Sequence, residues 1–394
     1  MDEISNKTDN LKKTLNKFIT DDNLSPFINS PVKYRYRNNI LFTIGYNING
    51  KIEVGPLQKN KSVINSSENI NASQLHIDIC EIFKDYIINH SKLKVYKYKK
   101  ESGFWKHIHI KQNSKHDFII NLRVSNFNQN KKLFEEEKDN LIEFIKNKSL
   151  QKNYNFIKLT YQECIGTKEP TINDPFHTIY YRDELIEEML GRKFIITEST
   201  FFQVNFYTAN ILFSYVRDFV KENNFHRTYN SDSLLTNIKS NKRVRTNRLL
   251  LDICCGVGIY CNLLHDQFDI VIGIDNNPNN IIIAEKNSLN NNISNSIYLC
   301  SNIEDVIEKI LKKYDDYEVC IIVNPPRRGL YDPVLESINT NLNKINQLIY
   351  ISCFANSLNR DLTKLNLKDK NIKKIIPLNQ FPNTQHYEII INII

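Results

Sequence analysis

Two residues near the end of the chain have the types needed for covalent chemistry. Cys353 closes the run Tyr350-Ile351-Ser352-Cys353, and Glu388 follows in Gln380-Phe381-Pro382-Asn383-Thr384-Gln385-His386-Tyr387-Glu388. A thiol at the end of an apolar strand with a carboxylate behind it is the pair required to add to a pyrimidine ring and then remove a proton. Each also has a plainer reading. A strand-end cysteine packs well as a small core residue, and Glu388, between Tyr387 and Ile389, suits the surface of a last strand. The choice depends on what stands in front of them.

What stands there is a series of strand-ending loops. Leu249-Leu250-Leu251-Asp252 runs into Ile253-Cys254-Cys255-Gly256-Val257-Gly258, where two glycines let the backbone pass close to a ligand and open a helix. This turn suits the amino-acid part of S-adenosylmethionine, and Asp275, ending Ile270-Val271-Ile272-Gly273-Ile274-Asp275, suits a ribose diol. No pyrophosphate-type G-x-G-x-x-G precedes that strand, which weighs against a dinucleotide. A later strand, Glu318 to Val323, ends in Asn324-Pro325-Pro326-Arg327-Arg328-Gly329-Leu330. Its two prolines fix an extended backbone without N–H groups, holding the Asn324 side chain toward the sheet edge. Arg327 stands where a methyltransferase acting on exocyclic amines has an aromatic residue and a cytosine-5 enzyme its catalytic cysteine.

The elements that must position these residues follow from the apolar pattern. With Asn295 to Cys300 and Gln347 to Ile351, the strands after Leu249 alternate with helices, so a mostly parallel sheet covered on both faces is expected. The fold class is therefore α/β, a C-terminal Rossmann-like domain preceded by an α+β domain. In the latter, Asn39 to Gly45 and His116 to Leu122 read as strands, and Ile77 to Ile88 and Glu135 to Ile145 as helices. The boundaries are 1–30 for a polar tail or docking segment with a helix around Leu11 to Phe18, 31–195 for the central domain, and 196–394 for the C-terminal domain. Residues 221–247 are read as a polar insertion, with Lys239, Lys242, Arg243, Arg245 and Arg248 at its end.

Bulk properties narrow the partners. The 394-residue chain is 41% hydrophobic and carries a formal charge of +8, which suits a polyanionic substrate. The lysines of Lys94 to Lys100, followed by Lys106, His107 and His109, offer a phosphate-facing surface. Phe42, Phe104, Trp105 and Tyr36 are better placed as core than as stacking partners. No run reaches a membrane span, and Met1-Asp2-Glu3 is polar, without the apolar core expected of a signal peptide. An intracellular protein is expected, in the cytoplasm, nucleus or an organelle, and monomeric. The eight cysteines lack paired C-x-x-C spacing, so neither a metal nor an iron-sulfur site is expected.

In order along the chain, S-x-x-F-F-Q-V-N, D-x-x-C-G-x-G, G-I-D-x-N-P, N-P-P-R-x-G-L, Y-I-S-C and F-P-x-T-x-H-x-E are similar to the motifs of the S-adenosylmethionine-dependent RNA (uracil-5-)-methyltransferases. The tRNA branch, which makes 5-methyluridine at T-loop U54, is the nearest in pattern, and Tyr36-Arg37-Asn38-Asn39 resembles the start of its central domain. The resemblance implies Cys353 as nucleophile and Glu388 as base. It implies Gln203, Asp252, Gly256, Gly258, Asp275, Asn302 and Asn324 around S-adenosylmethionine, with Arg327 and Gln203 toward the uracil. His386 is read as structural support. The partner implied is tRNA, with rRNA as the alternative; an RNA-binding or RNA-folding protein without catalysis is the reading from another class. Three departures stand out: Asn324 replaces an Asp, Phe354-Ala355 replaces Asn-Pro after the nucleophile, and the segment before Leu249 is long.

Overall fold

The computed structural model describes residues 3–171, 174–223, 247–367 and 371–394. The insertion expected at 221–247, with Lys239, Lys242, Arg243 and Arg245, lies almost entirely outside the described residues. Arg248 is not part of a solvated patch, for its guanidinium stacks 4.6 Å from the Phe268 ring centroid and donates to the Gln267 carbonyl at 2.9 Å. The chain divides into two compact units, Pro31–Tyr207 and a second made of Met1–Ser30 with Thr208–Ile394. Among the described residues no helix is long and apolar enough to cross a membrane.

The N-terminal segment docks within the second unit. Its helix α1 (Glu3–Thr14) starts well before the Leu11 to Phe18 pattern, because its first turns pack with polar residues that an apolar count overlooks. Lys7, only 4% exposed, joins Glu3 four residues back at 2.7 Å, while Leu11 and Leu15 enter the core with no exposed surface.

Unit Pro31–Tyr207 is built on β1 (Asn39–Tyr46), β2 (Ile52–Gly55), α2 (Gln74–Asn89), β3 (Trp105–Gln112), β4 (Asp117–Ser125), α3 (Phe127–Leu150), β5 (Asn155–Cys164) and β6 (His177–Tyr181), followed by the hairpin β7 (Leu185–Met189) and β8 (Arg192–Ile196). The six-stranded sheet has order β2-β1-β3-β4-β5-β6 and is antiparallel except where β4 runs parallel to β5. That one parallel pair needs a crossover, which α3 provides. Tyr36, Phe42, Phe104 and Trp105 are core, as expected. The phosphate-facing surface needs correction. Because β3 lies between β1 and β4, Lys106 is fully buried, paired with Glu169 at 2.7 Å and set over the Tyr96 and Tyr98 rings. His107 is buried beside the same carboxylate at 3.1 Å, and His109 is turned to Asn39 at 2.6 Å. Lys94, Lys97 and Lys100 do remain exposed.

The second unit continues with α4 (Phe206–Glu222), β9 (Arg248–Ile253), α5 (Ile259–Leu264), β10 (Ile270–Asp275), α6 (Pro278–Asn290), β11 (Ser296–Cys300), α7 (Ile303–Lys313), β12 (Glu318–Val323), α8 (Asp332–Thr340), β13 (Ile345–Ser352), α9 (Ala355–Lys364), β14 (Ile372–Leu378) and β15 (Glu388–Ile393). The sheet order is β11-β10-β9-β12-β13-β15-β14, with β15 alone antiparallel to its neighbours. The interior strands are nearly all-apolar because both faces are covered. The order reverses between β9 and β12, and such a switch point opens a crevice at the carboxyl ends of the strands. Residues 23–28 of the N-terminal segment pair with β14, through Ser25 N to the Ile375 carbonyl and Ile28 N to the Pro377 carbonyl, both 2.9 Å. This pairing covers an otherwise open sheet edge.

Candidate active site

Three loops leave the carboxyl edge at the switch point. The first follows β9, and its backbone turns through positive φ at Cys254, Gly256 and Gly258. A Cβ on Gly256 would meet nothing within 4 Å, so the space above it is open. On Gly258 a Cβ would come within 2.6 Å of the Tyr298 hydroxyl, so this glycine is required by packing. Buried amides hold the loop from beneath: Asn262 Nδ2 donates to the Gly258 carbonyl at 2.8 Å, and Asn287 Nδ2 to the Val257 carbonyl at 2.9 Å.

Asp275, at the end of β10, ties the first loop to the second. Its carboxylate accepts from the Gly256 N–H at 3.0 Å, the Asn277 N–H at 2.9 Å and Asn280 Nδ2 at 3.1 Å. Asn277 in turn caps α6, accepting from the Asn279 N–H with Pro278 in the first turn. Asp275, Asn302, Cys254, Arg328 and Tyr331 are among the residues around a cavity of about 240 Å³ at this edge. Its mixture of a carboxylate, an asparagine and apolar side chains such as Ile274 and Ile303 fits a nucleoside with a ribose diol, and the open Gly256 fits its close approach.

The loop after β12 is held by a carboxylate that sequence patterning does not reveal. Asp361 on α9 accepts from the Leu330 N–H at 2.8 Å and from the Tyr350 hydroxyl at 2.5 Å. Gly329 has φ +76°, and a Cβ there would stand 2.5 Å from Asp361 Oδ2. Arg360 closes the arrangement by donating to the Leu330 carbonyl at 2.8 Å.

Cys353 and Glu388 meet on the far side of this loop. β13 pairs antiparallel with β15, Ser352 opposite Ile389, so the next residues along, Cys353 and Glu388, are brought together. Burial pushes the Cys353 thiol up to about 11, and the Glu388 charge adds to that, while the Arg327 guanidinium opposes both by its charge and a hydrogen bond. Glu388 is 2% exposed, and burial raises its carboxyl to about 8, again opposed by Arg327. The three form one electrostatic unit: a thiol, a carboxyl that is mostly protonated at neutral pH, and a cation whose charge acts on both. Tyr260 belongs to the same surroundings. Among the described residues its buried hydroxyl has no hydrogen-bond partner, and after its own burial it feels the Glu388 charge.

The remaining expected residues are distributed unevenly. Asn324 is half-buried at the end of β12, beside the cavity loop. Asp252 is wholly buried within β9, where it accepts from the Cys261 thiol at 3.6 Å and burial raises it to about 7; it does not line the cavity. Gln203 is buried in the Pro31–Tyr207 unit, and its carbonyl accepts from Asn38 Nδ2 at 2.7 Å. His386 is half-buried in the loop before Glu388, its N–H bonded to Thr384 Oγ1. Among the described residues no His, Cys, Asp and Glu group is arranged to hold a metal ion. Sequence reading missed Tyr260, Asp361 and Arg328, and the residues of α1 that line a second cavity beside Cys353. Arg328 stood inside a quoted motif as its variable position, whereas the others carry no local signal.

Residues 236–393 match the family model described as tRNA (Uracil-5-)-methyltransferase. An uncharacterised RNA methyltransferase of Caldanaerobacter subterraneus is 27% identical over 365 residues, 92% of this chain and 73% of that one. The human tRNA (uracil-5-)-methyltransferase homolog B is 24% identical over 389 residues, 93% of this chain and 72% of its own. Among solved structures, the Pyrococcus abyssi tRNA (uracil-54, C5)-methyltransferase in complex with S-adenosyl-L-homocysteine superposes with a TM-score of 0.72 at 19% identity, over 100% of this chain and 83% of that one. That likeness establishes the fold.

Proposed function

We propose, for this member of the S-adenosylmethionine-dependent RNA (uracil-5-)-methyltransferase family, that it methylates carbon 5 of a tRNA uridine, position 54 of the T-loop, through a covalent adduct on Cys353. S-adenosylmethionine supplies the methyl group as a sulfonium. Asp275 and Asn302 would hold its nucleoside part, and the Gly256–Gly258 turn its amino-acid part. The observation that carries the reading is the register of β13 with β15, which joins Cys353 to Glu388 under the charge of Arg327.

Carbon 5 of uracil is a weak nucleophile until the ring is activated. The thiol of Cys353 loses its proton to solvent, and the thiolate forms a bond to carbon 6, moving the ring electrons onto the carbon 4 oxygen as an enolate. Carbon 5 would then take the methyl group from S-adenosylmethionine, the sulfur–methyl bond breaking to leave a neutral thioether. Glu388, ionised at this stage, accepts the proton from carbon 5. The returning electron pair breaks the carbon–sulfur bond and releases thiolate. Arg327 serves both ends of the sequence: it favours the thiolate and stabilises the oxygen that bears the enolate charge. Asn324, an amide, both donates and accepts, and so can face a uracil carbonyl or its N–H.

The target base is paired or stacked in a folded loop and must be flipped out to reach the thiol. The reading is tested with unmodified tRNA and labelled S-adenosylmethionine, mapping 5-methyluridine in the product. Wild type labels one uridine, and Cys353→Ala labels none. Glu388→Gln slows turnover by about 10²–10⁴-fold, the usual share of a general base, and accumulates a denaturation-resistant protein–RNA adduct. Full labelling by Cys353→Ala, or methyl groups on rRNA alone, overturns it.

A further inference from the structure

The cavity beside Cys353 is larger than one pyrimidine ring requires, and part of its wall comes from the other end of the chain. It encloses about 530 Å³, in the range of ligand sites, and is lined by Cys353, Phe354, Ala355 and Asn356, by residues of the loop before Glu388, and by residues of α1. Glu388 itself is not among the lining residues. A uridine whose carbon 5 faces Glu388 therefore leaves this cavity to something else attached to it.

We infer that this cavity seats the nucleotide next to the target uridine, its base stacked on Phe354 and its edge read by side-chain amides. The inference rests on the RNA methylation proposed above and adds to it the neighbour that the site requires. Phe354 follows the nucleophile directly and is 40% exposed, standing in extended conformation at the N-cap of α9, a helix that buries its apolar residues Ala355, Leu358 and Leu362. An exposed ring on a polar wall is a stacking platform for any base. Around it Asn6, Asn356 and Gln385 are exposed, each offering both donors and acceptors. The carboxylate among the described lining residues, Glu3, is neutralised by Lys7 at 2.7 Å, so the wall does not repel a phosphate. Ala355 and Asn356 lie in the first turn of α9, where the helix end carries partial positive charge. These features come from segments more than three hundred residues apart in sequence, and they converge only because α1 docks here.

The test uses full-length protein and two series of tRNA, one abasic at the nucleotide 5′ to the target and one abasic at the nucleotide 3′ to it. For wild type, one of the two abasic substrates raises KM about tenfold and the other leaves it within a factor of two. Phe354→Ala raises KM for intact tRNA by a similar factor, with S-adenosylmethionine binding unchanged, and is then insensitive to that abasic site. Asn6→Ala shows a smaller effect of the same pattern. A merely structural role for Phe354 gives multiplying losses, and that outcome overturns the inference, as does equal KM for all three RNAs. Absence of any labelling by wild type overturns the parent proposal, and this one with it. If wild type methylates tRNA but neither neighbour matters, only the present inference fails.

Discussion

Cys353 sits in surroundings that work against its own ionisation. Burial and the nearby Glu388 charge push the thiol up to about 11, and Arg327 pulls it back. The thiolate is the reactive form, so the sign follows directly. Reactivity at residue 353 rises with pH and is still rising at pH 10. As the pH rises from 8 to 10 Glu388 becomes ionised, since its carboxyl titrates at about 8. Glu388→Gln removes a negative neighbour and shifts the Cys353 profile to lower pH; Arg327→Gln removes the cation and shifts it to higher pH. Each shift is on the order of one unit, a tenfold change in alkylation rate at fixed pH. Iodoacetamide labelling read at the Cys353 peptide by mass spectrometry checks this, with the exposed Cys300 as the internal reference. Shifts in the same direction for both variants would falsify the three-group arrangement. Cys353 and Glu388 were legible as residue types in order, whereas Tyr260 was not. It reaches Glu388 only through the packing of α5 under β9, and a tyrosine in an apolar helix looks like core.

The loops at the carboxyl edge were the most legible elements, because each combines a strand of unbroken apolar residues with glycine or proline where the backbone must turn. The strands Ile270–Asp275 and Glu318–Val323 coincide with their sequence expectation residue for residue. What holds the loops was hidden. Asp361 lies on α9, more than thirty residues after the glycine it constrains, and looks in sequence like a polar residue of a helix surface, yet it has no exposed area. Gly329→Ala tests this support. The alanine places a methyl group on Asp361 Oδ2 at a positive φ, with an expected cost of about 1–3 kcal/mol from local strain. Because Gly329 and Leu330 line the cavity beside Asp275, the variant also loses affinity for S-adenosylmethionine, by roughly tenfold. Chemical denaturation and titration calorimetry measure the two effects. Loss of stability with full affinity places the loop outside the cofactor site. The reverse error occurred on β3, where Lys106 and His107 read as a basic surface. A period-2 strand gives the alternation of faces but not which face a third layer covers, and Glu169, from a later loop, is what makes burial of the lysine tolerable.

At the scale of the molecule, the chain closes on itself. The order of motifs after residue 196 carried the fold of the C-terminal part, but nothing in residues 3–14 announced that they pack against residues 379–387. Beside the apolar anchor of Leu11 and Leu15, the link is made by hydrogen bonds with polar residues of α1. Lys7 Nζ donates to Asn379 Oδ1 at 2.7 Å and to the Phe381 carbonyl at 3.3 Å, Glu3 accepts from the Asn383 N–H at 3.1 Å, and the Tyr387 hydroxyl donates to Asn10 at 2.8 Å. Burial lowers the Lys7 ammonium from its usual value and Glu3 opposes that shift, and an apolar replacement forfeits the hydrogen bonds to Glu3, Asn379 and Phe381. Lys7→Met keeps the length of the side chain and leaves Asn379 Oδ1 and the Phe381 carbonyl without their donor. The expected cost is about 1–3 kcal/mol, with the loop before Glu388 freed at its N-terminal end. In the proposed mechanism proton removal from carbon 5 depends on the placement of that carboxylate, so kcat on tRNA is expected to fall by about tenfold while the affinity for S-adenosylmethionine, assigned by the same proposal to the cavity beside Asp275, is unchanged. Thermal unfolding, steady-state methylation and calorimetry on the same preparation separate these effects. An unchanged kcat in a destabilised Lys7→Met protein assigns α1 to stability alone; a lowered kcat with intact cofactor affinity makes the first helix of the chain a positioning element for its last strand.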